Sequence, residues 1–472
     1  MLVKITFKNI HHILAAFTWI GCSVSKDMLL PDAAPETFRY ASPKDSSSIG
    51  ALPLRNFITD ASLLSLIDTA LVKNYSMQLA LKNIEAAEVL FRQSKLGNLP
   101  EIRLQVTANT SRPSDNSLNG FTLNQFLGTT HIEDYNANLG MHWEADIWGK
   151  ISNRKKGALA AYLQTQEASK AVQTRLIADV AQVYYNLLML DEQLAIAKKN
   201  LELNSSTLDI INLQFSSGQV TSLAIQQAEA QKLYSEKLIP QLEKNIIIQE
   251  NALSVLIGVE PTAIKRINGL DKIDVPNKLN AGFPSAMLSH RPDIKSAELE
   301  LTIANAKVGV AKAALYPSLI ITAGGGINSF KSSNWFNIPA SLFGLVSGGI
   351  TQPLFERGKL KSNVKLAEID REKAVIRFRQ SVLDAVGEVS DELVKIDRLA
   401  QEYAIAEKRL VTLQQASGNA NQLFENGMAT YLEVIIAQGN LLQAELELAT
   451  VKQQQLHSGI ALYRSLGGGS DL

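Results

Sequence analysis

Residues 135–150 read YNANLGMHWEADIWGK. Up to Ile147 they alternate in kind. Tyr135, Ala137, Leu139, Met141, Trp143, Ala145 and Ile147 fall on one face of an extended chain, and Asn136, Asn138, Gly140, His142, Glu144 and Asp146 on the other, because successive side chains of a strand point to opposite sides. After Gly149 the period changes to that of a helix and is sustained for roughly 67 residues, several times the average helix length. Such a strand needs a medium for its apolar face, and so long a helix needs neighbours to run beside.

Both features occur twice. DIWGK (146–150) matches FERGK (355–359), FSSGQVT (215–221) matches FENGMAT (424–430), and LSVLIG (253–258) matches LYRSLG (462–467), each pair 209 residues apart. Upstream, AAEVLFRQSKLGNLP (86–100) matches ANAKVGVAKAALYP (304–317), with Pro100 opposite Pro317 at an offset of 217. The eight extra residues fall between proline and glycine, where a loop changes length cheaply. Each copy reads helix, proline, strand, loop, strand, glycine, very long helix, glycine turn, return helix. Ile102, Leu104, Val106 and Ala108 alternate with Arg103, Gln105, Thr107 and Asn109, and a Ser/Asn/Gly-rich loop at 112–133 follows. The second hairpin, SLIITAGGG (318–326) and SLFGLVSGGITQP (341–353), is richer in glycine.

The long helices carry a seam. Leu176, Val180, Val183, Leu187, Leu190 and Leu194 step by four and three, as do Val382, Val386, Val389, Leu393, Ile396, Ala400 and Tyr403, the signature of a coiled coil. At about 1.5 Å per residue each helix is a rod of roughly 100 Å. Gly218 and Gly427 are placed to end one helix before Thr221 or Thr430 starts the next. Pro240 implies a kink or break in the first return helix.

The chain has 472 residues with 46 Lys+Arg against 46 Asp+Glu. That balance, with no basic run, argues against nucleic acid as a partner. Its one cysteine, Cys22, excludes an internal disulfide and argues against a cysteine metal site. Lys4 and Lys8 precede a short apolar stretch, ILAAFTWIG at 13–21, the pattern of a signal peptide over 1–21 and too short to span a bilayer. IGCS (20–23) resembles the bacterial lipoprotein processing box, with Trp19 where that box usually carries Leu. Lipidation of Cys22, palmitate among the chains, is the expectation; an ordinary cleaved signal or a buried chance cysteine is the alternative.

Two architectures suit the strands. In one, a small sandwich buries the apolar face against a partner sheet. In the other, a membrane barrel turns that face to lipid and the polar face to a wet lumen. Strands of about ten residues are long enough to cross hydrocarbon when tilted. Four strands cannot close a barrel, for which about eight is the minimum. Open edges are not tolerated in lipid, so a barrel requires several chains to pool their hairpins. Trp143 and Trp148 suit an interfacial aromatic belt.

WEADIWGK (143–150), HRPDIKSAELELTIANAKVGVAKAALYPSL (290–319) and the paired tips resemble the TolC family of outer-membrane efflux proteins, in particular its lipoprotein branch serving resistance–nodulation–division pumps. The resemblance covers nearly the whole mature chain. It implies a mainly α protein with membrane β: a homotrimer with a 12-stranded β-barrel, four strands per chain, continued by a long α-helical coiled-coil barrel, with a mixed equatorial domain and an internal two-fold repeat. The expected layout is a lipid-anchored extended segment at 22–55, a first repeat at 56–258 (hairpin 101–147, long helix 150–217, return helix 221–257) and an equatorial linker at 259–290. A second repeat follows at 291–467 (hairpin 318–353, long helix 359–425, return helix 429–466), then a tail at 468–472. Pro100, Gly149, Pro317 and Gly358 mark the barrel–helix transitions. The implied partners are outer-membrane lipid, a periplasmic adaptor and an inner-membrane resistance–nodulation–division transporter, and the protein would be a passive gated duct for small molecules or ions.

In that family, acidic residues just past the helical tip gate the tunnel. By position from Gly427, Glu433 matches the first gate acid, while Ile436 occupies the second position, where the acid is absent. Ala429 stands in place of a basic locking residue and Phe424 in place of an aromatic one. Three Glu433 side chains around one axis would form a cation-attracting ring; the alternative is a solvated acid favoured by the helix dipole in a first turn.

No HExxH, Walker lysine loop or GxSxG occurs, so neither an enzyme nor a cofactor or metal is expected. His142 falls on the polar strand face and His290 before a helix start. A lipid-anchored coiled-coil adaptor without a pore is the alternative function. It would place compact β domains around a single helical hairpin, whereas here helices bracket two strand hairpins.

Overall fold

The computed structural model describes residues 35, 37–39, 48–274 and 280–470. Leaving single turns aside, the elements are α1 (Ala61–Lys73), α2 (Tyr75–Lys95), β1 (Glu101–Ser111), α3 (Leu118–Leu127), β2 (Ile132–Ala145), α4 (Lys150–Ser216), α5 (Ser222–Leu256), α6 (Pro284–His290), α7 (Pro292–Ala313), β3 (Ser318–Ser329), β4 (Leu342–Thr351), α8 (Lys359–Glu425) and α9 (Tyr431–Ser465). The chain divides into two compact units.

The first unit, residues 86–163 and 299–376, holds the sheet and the helix ends that enter and leave it. The strands form one antiparallel sheet in the order β1-β2-β3-β4. Its central seam joins the two repeats, with Leu139 opposite Gly325 and Trp143 opposite Ile321. Asp146 starts α4, its carboxylate accepting from Ile151 N at 2.8 Å and Ser152 N at 2.7 Å. Leu301 and Ala304 of α7 pack on Ala374 and Val375 of α8, and Lys312 pairs with Glu368 at 3.2 Å. The loop between β1 and β2 contains α3, ten residues long, begun by the Ser117 hydroxyl accepting from Gly120 N at 3.1 Å. The Ser/Asn/Gly composition of that stretch marked a loop, but its Ser-x-x-Gly start and Gly128 end are also cap signals.

The second unit comprises the described residues of 31–85, 164–298 and 377–472. Its main core gathers Tyr184, Leu187, Leu188, Leu253, Val382, Val389, Ile460 and Leu462, which include seam residues of both long helices. Phe57 stacks on Tyr463 with ring centroids 4.3 Å apart, and Tyr463, its hydroxyl pushed up to about 12 by burial, donates to the Leu52 carbonyl at 2.8 Å. Arg291 donates to Asp293 (2.7 Å), Glu388 (2.8 Å) and the Ser465 carbonyl (2.8 Å), tying the start of α7 to α8 and the end of α9. Burial pushes the Asp293 carboxyl up, but hydrogen bonding to and the charge of Arg291 hold it below the ordinary carboxylate range.

Of the expected kink or break, the break does not occur: α5 runs as one helix from Ser222 to Leu256 with Pro240 inside it. A single lost N–H bond is small beside the packing of Ala228, Leu242 and Ile246 on either side of it. The segment 259–290 contains a helical turn at Leu270–Lys272 as well as α6.

Candidate functional site: the sheet wall and the helical tips

In an antiparallel pair, residues directly opposite share a face. The register therefore assigns every strand position. One face carries the neighbouring rows Leu104, Leu139, Gly325, Gly344 and Ile102, Met141, Ala323, Val346, with Ala145, Leu319 and Ile350 in a further row. Among the described residues no second sheet covers it; Leu104 is 73% exposed and Val346 80%. The opposite face is concave: a cleft of about 670 Å³ is lined by Arg103, Gln105, Asn136, Asn138, His142 and Thr322 among others. The sandwich alternative fails on this geometry, since an apolar face left open would be unstable in water. The two edges, β1 and β4, keep unpaired backbone groups within the chain.

The transition residues lie where strands and helices meet. Gly149 and Gly358 take left-handed backbone angles, φ 72° and 79°. Pro100 precedes β1 and Pro317 precedes β3. Trp143 stands on the apolar face, its indole donating to the Asn98 carbonyl at 2.8 Å. Trp148 lies past the strand end, donates to the Pro317 carbonyl at 2.7 Å and stacks on Tyr316 with centroids 4.7 Å apart. The two indoles are thus satisfied by main chain from the helix-to-strand turns.

At the tips, Gly218 and Gly427 have φ 75° and 72°. Each closes the same motif: Gln219 N donates to Gln214 O at 2.9 Å, and Met428 N to Leu423 O at 2.8 Å, satisfying carbonyls a helix end leaves free. The two tips share one small core of Ile211, Ala224, Ala228, Phe424 and Val434, with Ala429 packed against it. Phe424 is therefore buried, while Ile436 is 53% exposed. Glu433 completes a capping box with Thr430, accepting from its backbone N at 2.6 Å and its hydroxyl at 3.2 Å. Above the tips, buried Gln438 of α9 donates to Thr207 of α4 at 2.9 Å and Asn421 of α8 at 3.2 Å. Asn200, Asn204 and Ser235 form a second buried polar layer. Sequence reading missed both layers; the signal was a polar residue interrupting apolar spacing. Cys22 lies outside the described residues. No helix among the described residues is long and apolar enough to cross a membrane.

The profile of the outer membrane efflux protein family matches residues 66–259 and 283–468. The chain belongs to that family. This efflux protein is 30% identical to the solvent efflux pump outer membrane protein SrpC of Pseudomonas putida, over 95% of its own length and 96% of SrpC. It is 29% identical to the probable outer membrane lipoprotein SilC of Salmonella typhimurium, over 88% and 87% of the two chains. A solved structure of CusC, in a study of its folding and transmembrane channel formation, superposes with a TM-score of 0.84 at 26% identity, covering 95% of this chain and 100% of that one. The efflux protein has the fold of that channel protein, a four-stranded antiparallel sheet joined to long helices. It acts in the outer membrane as the channel component of an efflux pump, and the family is one of transport rather than catalysis.

Proposed function

We propose that three copies of the chain pool their sheets into a closed 12-stranded barrel, and that the long helices carry the same bore into the periplasm. The observation that carries this is the sheet itself: four strands, a polar concave face, an open apolar face and two free edges. Four strands cannot close, and lipid tolerates no open edge, whereas three fourfold sets exceed the roughly eight strands a barrel needs. The trimer would dock at its Gly218 and Gly427 tips on a periplasmic adaptor and a resistance–nodulation–division transporter, passing small molecules or ions outward without chemistry of its own. Relatives are named for solvent and for cation efflux, so one fold serves more than one class of cargo. Cys22, acylated, would add a lipid anchor to each chain. Trp143 and Trp148 would mark the periplasmic edge of the hydrocarbon. Glu433 and the exposed Ile436 would form the aperture, with Phe424 packed behind them in the core of the tips.

Light scattering of purified protein in detergent should give a trimer, and planar bilayers containing it should conduct ions. A stable monomer that conducts nothing overturns the reading.

A further inference from the structure

The polar face is not polar throughout. Two neighbouring rows run across all four strands: Arg103, Gly140, Gly324, Leu345, and beside it Gln105, Asn138, Gly326, Phe343. By parity Phe343 and Leu345 belong with the amides, yet they are apolar and 38% and 63% exposed. Between the two ends of the rows lies a floor of glycine. At Gly326 that floor is enforced, because an added Cβ would stand 2.0 Å from the Ala137 carbonyl oxygen. At Gly324 it is a choice, since an added Cβ would meet nothing closer than 3.5 Å. The result is a trough of about 670 Å³ with an apolar bank and an amide bank.

The amide bank carries no net charge. Arg103 Nε donates to Glu101 at 2.8 Å, so each cancels the other. Asn138 donates to Asn136 at 2.6 Å and keeps its carbonyl oxygen as an acceptor. A wetted wall gains nothing from an exposed Phe and Leu unless something apolar rests on them. A ring laid on Phe343 would gain an offset-stacked or edge-to-face contact, while its polar edge reaches Gln105 and Asn138 across side-chain-free ground.

We propose that these rows are a cargo-contact site on the channel wall for uncharged molecules that carry an aromatic ring and a hydrogen-bonding edge. The proposal rests on the duct reading, in which this face lines the bore.

The test uses single channels in planar bilayers, with p-nitrophenyl glucoside against methyl glucoside as probes. The aromatic glucoside should produce brief current blocks and the methyl glucoside none. In Phe343→Ser/Leu345→Ser the block lifetime should shorten roughly three- to tenfold, the scale of one lost aromatic contact. Gly324→Leu, which fills the floor and leaves the apolar bank in place, should shorten it likewise, with both variants still trimeric in detergent. Open channels with no aromatic blocks, or with blocks unchanged in the variants, overturn the site and leave the duct standing. Variants that no longer assemble would make Phe343 and Leu345 contacts between copies, which also overturns it. Absence of conductance in the unaltered protein removes the duct and the site together.

Discussion

Glu433 stands third in α9, with its carboxylate engaged by the Thr430 backbone N at 2.6 Å. That bond satisfies one of the N–H groups a helix start leaves free, and a negative charge there is favoured by the helix dipole. The same charge, repeated three times around an axis, would attract cations. Capping and ring can be separated, because a capping box accepts Gln as well as Glu at this position. Glu433→Gln should leave the melting of the trimer within about 0.5 kcal/mol of the parent. Its cation-to-anion permeability ratio in bilayers should fall by about twofold or more, as expected when a focused field is removed. An unchanged ratio would leave Glu433 as a cap alone. Position from Gly427 located this residue in the sequence; its capping partner needed only the Thr-x-x-Glu spacing, which the chain displays at 430–433.

Among the elements, each repeat ends both its long helix and its return helix on a left-handed glycine, but the two positions make unequal demands. Gly218 sits at φ 75° with open space where a side chain would go, whereas Gly258 at φ 76° faces the Lys73 carbonyl oxygen 2.3 Å from an added Cβ. Gly218→Ala should therefore cost only the left-handed term, about 1–2 kcal/mol. Gly258→Ala should cost roughly 2–5 kcal/mol, since the overlap with main chain adds an overpacking term. Urea unfolding followed by circular dichroism orders the two; equal losses would mean that the close approach at Gly258 relaxes freely. Both glycines were legible as helix ends from the repeat. The difference between them was not, because Lys73 lies 185 positions away in the chain. The buried layers Asn200–Asn204–Ser235 and Thr207–Gln438–Asn421 match polar groups across neighbouring helices, the kind of pairing by which a core Asn sets register in a coiled coil.

For the molecule as a whole, a four-stranded sheet with an exposed apolar face has no stable state alone in water and none with open edges in lipid. On the proposed trimer, folding of the sheet and assembly of the channel are one reaction, and stability depends on protein concentration. The melting temperature of the β signal in detergent should rise with protein concentration and coincide with loss of the trimer. A concentration-independent midpoint, or a β signal that outlasts the trimer, would assign the sheet's stability to the single chain.

Much of this protein was written locally. The alternation over 135–147 determined an amphipathic strand, the four-and-three steps from Leu176 and from Val382 determined coiled-coil helices, and the 209-residue offset determined that the pattern occurs twice. These follow from the chain because period and spacing are properties of neighbours in sequence. The tertiary structure decided what covers what. It left the apolar face open instead of stacking it, joined the repeats along β2 and β3, placed Phe343 and Leu345 on the polar face, and set Lys73 against Gly258. Each of these is a contact between residues far apart in the chain. Parity along one strand cannot specify the strand lying next to it, and only the folded register does.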